Sequence, residues 1–266
     1  LKQSPSSRMV ASMPLVPAVV RALPLPAALA MVAVGGSQPW SEQFSYQDYV
    51  ALQRRGNKMK LHARPGIAAQ DVLRIASWLR ERLPLRRKFG LCHGTRGGFE
   101  QNALQQALHW RNGSVIGTEI SDTATQFRNT IQWDFHDLKD EWRSAADFVF
   151  SNALDHAYDP HFALQQWMSC VSTDGVLLIE HNMQKHPVEG DRSVTLDVGL
   201  DGDMLEASFG AYLRMAMMIN GTEVVDVLHL PRSSGPRVRR WTESRVIVVA
   251  WLHCFCNSAG INKACC

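Results

Sequence analysis

Between residues 88 and 181 the chain alternates short apolar runs with helix-like stretches, and this rhythm restricts the fold more than any other feature. "KFGLCH" (88–93), "SVIGTEI" (114–120), "TIQWD" (130–134), "DFVFSN" (147–152) and "GVLLIEH" (175–181) read as strands. "FEQNALQQALHW" (99–110) reads as a helix, "SDTATQFRN" (121–129) as a short helix or turn, and "PHFALQQWMSCV" (160–171) as a helix with Pro160 at its first position. Strands that are apolar throughout need cover on both faces, and strands separated by helices return to a sheet in parallel. Upstream, "GIAAQDVLRIASWLRERL" (66–83) sets Val72, Ile75, Ala76, Leu79 and Leu83 at three-to-four spacing, an amphipathic helix closed by Pro84. "SEQFSYQDYVALQRRGNKMK" (41–60) reads as a short helix and a loop, and residues 204–219 look helical. "TEVVDVLHLP" (222–231) and "SRVIVVAWL" (244–252) are strands with no helical pattern between them, which makes that pair antiparallel. The expected fold is α/β: Rossmann-like, doubly wound, a mostly parallel seven-stranded sheet with an antiparallel last strand.

Composition narrows the classes of function. With 45% hydrophobic and 20% charged residues, the 266-residue chain can bury a sizeable core. A formal charge of +3 is too small to point to nucleic acid, and four arginines in "RSSGPRVRRW" (232–241) fit a solvated basic loop better than a phosphate site. Cys254, Cys256, Cys265 and Cys266 crowd the end of the chain, leaving Cys92 and Cys170 in the body, so a disulfide-stapled secreted fold is not expected. Residues 1–41 carry no acid, and their apolar run is broken by Pro14, Pro17, Pro24, Pro26 and Arg21. That is a poor membrane span, and it reads as a leader for organelle or secretory targeting or as disordered sequence; without such a leader the expectation is cytoplasmic. The expected boundaries are a leader over 1–41, one domain over 42–253 and a Cys-rich tail over 254–266. Nothing in the sequence specifies an oligomeric state.

The chemistry gathers where strands end. In an open parallel sheet, ligands bind beyond the carboxyl ends of the strands, where strand order reverses. "FGLCHGTRGGFEQNAL" (89–104) sits at such an end. Gly94, Gly97 and Gly98 let the chain turn tightly and expose bare backbone, and the helix that follows aims its free N–H groups at whatever lies there. Glu119 ends the next strand, and a carboxylate there accepts hydrogen bonds from the two hydroxyls of a ribose. Asp134 ends the third strand; it either meets an adenine amine, with Phe135 or Trp133 as an apolar face, or caps the next helix through "DFHD". The fourth strand runs into "SNALDHAYDPH" (151–161), where Asn152, Asp155, His156, Tyr158 and Asp159 crowd one loop. Histidine exchanges protons near neutral pH, which suits His156 to general-base work, with His181 in reserve. The alternative for His156 is a structural hydrogen bond. A metal site in "HAYDPH" is disfavoured, because its candidate ligands share one loop without a distant partner.

This ordered set resembles the class I S-adenosylmethionine-dependent methyltransferases over residues 66–252. The residues that carry the resemblance are "CHGTRGG", Glu119, "WD" after the third strand, "DFVFSNALDH" and "GVLLIEH". The resemblance implies S-adenosylmethionine as cofactor. His93, Gly94, Thr95, Arg96 and Gly98 would hold it at the first loop, with Glu119 and Ile120 at the second strand end. Asp134, Phe135 and Asn152 would complete the set at the third and fourth. Asn152, Asp155 and His156 would line the transfer site for a small-molecule acceptor. One departure stands out. Leu91-Cys92-His93 occupies the place of an acid before a G-x-G-x-G loop, so Glu100 is the substitute neighbour for the methionine ammonium and Arg96 meets the carboxylate. "NALD" lacks the prolines and aromatic of the Asn/Asp-Pro-Pro-Tyr/Phe motif, which lowers nucleobase N-methylation. Two rivals remain: a catalytically degenerate Rossmann-like binding or scaffold module, and an NAD-dependent oxidoreductase.

Overall fold

The computed structural model describes residues 45–63, 65–182, 194–195, 204, 206–231 and 243–252. Its centre is a seven-stranded sheet. The strands are β1 (Phe89–His93), β2 (Ser114–Glu119), β3 (Thr130–Gln132), β4 (Ala146–Ser151), β5 (Val171–Asn182), β6 (Thr222–Pro231) and β7 (Glu243–Trp251). They stand in the order β3-β2-β1-β4-β5-β7-β6. The first five pair in parallel, while β7 runs antiparallel to both β5 and β6. Strand order therefore reverses between β1 and β4, which puts the crevice at their carboxyl ends.

Local chemistry explains the elements. Helix α1 (Tyr46–Met59) opens on a capping box in which Ser45 accepts from the Asp48 N–H and Asp48 accepts from the Ser45 N–H. Helix α2 (Ala69–Arg82) ends where Leu83 turns extended, the conformation imposed on a residue before proline. Helix α3 (Phe99–Ala107) starts from Gly98 in the left-handed region. Helix α4 (Pro160–Cys170) combines an Asp159 cap with Pro160 at its start, and α5 (Phe209–Met217) is capped by Ser208.

Alternating side chains of the strands feed two cores. Leu91, Val149, Leu177, Ile179, Ile247 and Val249 pack with Leu164 and Trp167 of α4 and Tyr212 and Ala216 of α5. Cys92, Phe148, Phe150, Leu178, Val246 and Val248 pack with Ile75 and Leu79 of α2 and Leu104 of α3. Helices thus cover both faces, as runs of continuously apolar strand require. Removing one such side chain, as in Leu79→Ala, costs about 2–5 kcal/mol.

The expected α/β architecture is the observed one, with differences at the edges. Residues 46–59 form one 14-residue helix in place of a short helix and loop, because the cap fixes its start. Strand β5 begins at once after α4, at Val171, and shifts register against β4 between Ala146 and Phe148. The helix expected over 204–219 spans only Phe209–Met217, since Ser208 caps it and Glu206–Ala207 pairs with Val194–Thr195. The leader, the basic loop at 232–241 and the tail at 254–266 lie outside the described residues.

Candidate active site

The first turn is built for close approach. The Thr95 N–H donates to the Thr118 carbonyl at 3.0 Å and the Gly98 N–H to the Thr95 carbonyl at 2.8 Å, folding the chain back over the sheet. Gly94 has φ +72°, and a Cβ there would lie 2.5 Å from Cβ of Ala153. Gly98 has φ +72° as well, with Thr130 Oγ1 3.0 Å from its missing Cβ, so it serves to open α3.

One cavity of about 450 Å³ lies beyond these strand ends. It is lined by Gly94, Thr95 and Arg96 from the first turn, Glu119 and Ile120 from the end of β2, and Asp134 and Phe135 after β3. Asn152, Asp155 and His156, which follow β4, line it too. Most of the residues singled out in the sequence thus meet around one space of a size usual for small-ligand pockets. Gly98 and His93 are not among the lining residues. Strand parity sends His93 to the α4 side with Leu91, where its Nδ1 is 2.9 Å from Thr118 Oγ1 and its ring stacks on Trp167 at 5.6 Å. Burial drives its pKa down to about 3, so it is a neutral core residue. His181 is also buried, with Nε2 2.9 Å from the Ala207 carbonyl, and it does not line the cavity. In "HAYDPH", Asp159 caps α4 and His161 is exposed. Among the described residues no cluster of His, Cys, Asp and Glu could hold a metal ion.

The carboxylates differ in their surroundings. Glu119 Oε1 accepts from the Ser121 N–H at 2.8 Å and from Asn57 Nδ2 at 2.6 Å. Burial lifts its pKa above the ordinary carboxyl value, and those donors work against the rise. Asp134 Oδ1 accepts from the His136 N–H at 3.0 Å and lies 2.8 Å from His136 Nδ1, while Oδ2 accepts from the Tyr46 hydroxyl at 2.5 Å. Burial opposes its charge, yet these donors prevail and hold the carboxyl below its usual value. Asp134 thereby closes a turn, where a helix cap was expected, and it also lines the cavity. Glu100, in the first turn of α3, is only 5% exposed. Its Oε1 accepts from Asn152 Nδ2 at 3.4 Å, its Oε2 has no hydrogen-bond partner among the described residues, and burial pushes its pKa up to about 7.

Helix α1 contributes to the cavity, and no strand-end motif announces it. Tyr49, Gln53 and Asn57 recur at every fourth residue and put one helix face on the cavity, with Lys60 just beyond. Arg54 Nε donates to the Ile120 carbonyl at 3.2 Å, and Lys58 pairs with Asp122 at 2.8 Å. Tyr46, Tyr49 and Tyr158 pack with centroids 5.2–5.4 Å apart, too tight to admit a ligand between them and well suited to seating the helix. Glu180 of β5 also lines the cavity without having been singled out. The polar stripe Tyr49-Gln53-Asn57 behind a Ser45–Asp48 cap was the available signal.

No protein-family model matches the chain. No curated protein sequence matches it either. Solved structures do. The Burkholderia thailandensis 1,6-didemethyltoxoflavin-N1-methyltransferase, solved with 1,6-didemethyltoxoflavin and S-adenosylhomocysteine, superposes with a TM-score of 0.58 at 12% identity, covering 84% of this chain and 94% of that one. The mitomycin 7-O-methyltransferase MmcR aligns at TM-score 0.48 and 14% identity over 81% and 69% of the two chains. The CcbJ methyltransferase from Streptomyces caelestis aligns at 0.46 and 14% over 76% and 99%. With its strand order and its single reversed strand, the chain has the fold of the class I S-adenosylmethionine-dependent methyltransferases.

Proposed function

We propose that the chain is an S-adenosylmethionine-dependent methyltransferase acting on a small-molecule acceptor. The observation that carries this reading is the meeting of four strand-end segments, after β1, β2, β3 and β4, around one cavity. The residues present fit the cofactor. Gly94 leaves a floor that a Cβ would fill, Glu119 offers a carboxylate for ribose hydroxyls, and Asp134 with Phe135 offers an acceptor and an apolar face for adenine. Glu100, with a buried oxygen that has no partner among the described residues, suits an ammonium group, and Arg96 suits a carboxylate. When bound, the cofactor supplies an electrophilic methyl group on a sulfonium.

The chain's own part is to bind, orient and handle a proton. Methyl transfer is an in-line displacement, so holding the acceptor atom about 3 Å from the methyl carbon supplies much of the rate. Asn152 and Asp155 line the wall where the acceptor docks, and His156 receives the proton that the acceptor sheds. An NAD-dependent oxidoreductase is disfavoured, because the reversed β7 between β5 and β6 departs from the strand order 3-2-1-4-5-6 of dinucleotide-binding sheets.

Titration calorimetry tests the reading. S-adenosylmethionine and S-adenosylhomocysteine each bind with micromolar affinity, and NADH does not compete. No heat from either ligand at millimolar concentration refutes it.

A further inference from the structure

We propose, resting on the reading of the site just given, that the methyl acceptor is a basic amine, held and methylated at the wall formed by Asp155, His156 and Glu180. The sheet brings this wall together. Ser151 of β4 pairs in register with Ile179 of β5, so the segment leaving β4 runs beside Glu180. Asp155 and Glu180 are 8% and 4% exposed, and both line the cavity with His156.

Asp155 selects the amine. Among the described residues the cavity is lined by the acids Glu100, Glu119, Asp134, Asp155 and Glu180 and by the bases Lys60 and Arg96. The cofactor's carboxylate, ammonium and sulfonium together add a single net positive charge. Glu119 and Asp134 are already supplied with donors, from Asn57 and Ser121 and from His136 and Tyr46. Asp155 keeps a buried Oδ1 that no hydrogen bond from the described residues reaches. A buried carboxylate oxygen in that state calls for an N–H donor that also carries charge. A carboxylate or phosphate on the acceptor would meet like charge at Asp155, and an alcohol would bring that carboxylate no charged donor.

The step balances with these residues. The ammonium form of the acceptor docks and gives up one proton to His156, which passes it to water. The nitrogen lone pair then forms the N–C bond as the C–S bond breaks, with that electron pair remaining on sulfur as a neutral thioether. The positive charge moves to the methylated nitrogen, and the product leaves as an ammonium ion.

The test uses the full chain saturated with S-adenosylhomocysteine. Binding of benzylamine, putrescine, benzyl alcohol and benzoate is followed by saturation-transfer NMR, and methyl transfer from labelled S-adenosylmethionine is followed in parallel. The amines bind at least tenfold tighter than the alcohol or the carboxylate and acquire the label. Asp155→Asn weakens amine binding at least tenfold more than it weakens S-adenosylhomocysteine binding, and Glu180→Gln gives the same reading should the first variant fail to fold. Equal or tighter binding of benzoate or benzyl alcohol, or no amine binding to the loaded protein, overturns the proposal. The two readings fail differently: no S-adenosylhomocysteine binding sinks the proposed function, whereas a loaded protein that ignores amines sinks this inference alone.

Discussion

Asn57 Nδ2 donates to Glu119 Oε1 at 2.6 Å, joining a helix at the start of the domain to the end of β2 across 62 residues of sequence. That bond orients the carboxylate to which the proposed function gives the ribose hydroxyls. It also makes α1 part of the cavity wall.

Glu119→Ala removes two charge-assisted hydrogen bonds to the ligand and leaves Asn57 without its acceptor. Such bonds contribute roughly 1.5–3 kcal/mol each, so affinity for S-adenosylhomocysteine falls by at least about 100-fold. Asn57→Ala leaves the carboxylate in place and costs less than Glu119→Ala. Calorimetry on the two variants ranks them.

Tyr46→Phe deletes the hydroxyl that donates to Asp134 at 2.5 Å but keeps the ring packing against Tyr49 and Tyr158. The expected loss is about 1–2 kcal/mol, a fall of about 2–8 °C in Tm. Hydrogen exchange then quickens in α1 and at 134–137, and not in α4.

Two buried groups pull the pH dependence of stability in opposite directions. His93 has its folded pKa lowered to about 3, so between that value and its ordinary value of 6.5 the unfolded chain binds the extra proton and stability rises with pH. Glu100 has its folded pKa raised from 4.5 to about 7, so across that window the folded chain holds the extra proton and stability falls as pH rises. The two slopes oppose each other where the windows overlap, and each is on the order of 3–5 kcal/mol when complete. Wild-type thermal stability is accordingly nearly flat there. Glu100→Gln uncovers a clear rise over the same range and melts at a higher temperature than wild type at pH 8. Differential scanning fluorimetry across pH 4–8 reads both; a variant with an unchanged profile contradicts the assignment of Glu100.

Gly94→Ala puts a Cβ 2.5 Å from that of Ala153 on a backbone at φ +72°. Strain and overpacking together cost about 2–6 kcal/mol. Tm falls, and S-adenosylhomocysteine binding is lost even in the fraction that folds at low temperature.

The sheet was legible because its strands are written in a strong code. Runs such as "DFVFS" and "VLLIE" alternate between two buried faces, and the first leads into a helix with its own Asp159 cap. The strand-end residues were legible for the same reason: once β1, β2, β3 and β4 are placed, the side chains that follow them converge. His93 was misplaced because a strand-end position does not reveal which face its side chain takes, and parity with Leu91 sends it into the core. Helix α1 escaped because it shows the cavity a polar face, and hydrophobic periodicity registers apolar stripes only. Glu180 escaped because an acid closing an apolar strand reads as an exposed terminus until its neighbours in the sheet are known.

The most direct measurement is a crystal structure of the chain with S-adenosylhomocysteine. Ligand density in the cavity, with the ribose hydroxyls within hydrogen-bond distance of Glu119 and the adenine beside Asp134 and Phe135, is the predicted result. Density elsewhere, or an empty cavity at saturating ligand, contradicts the account.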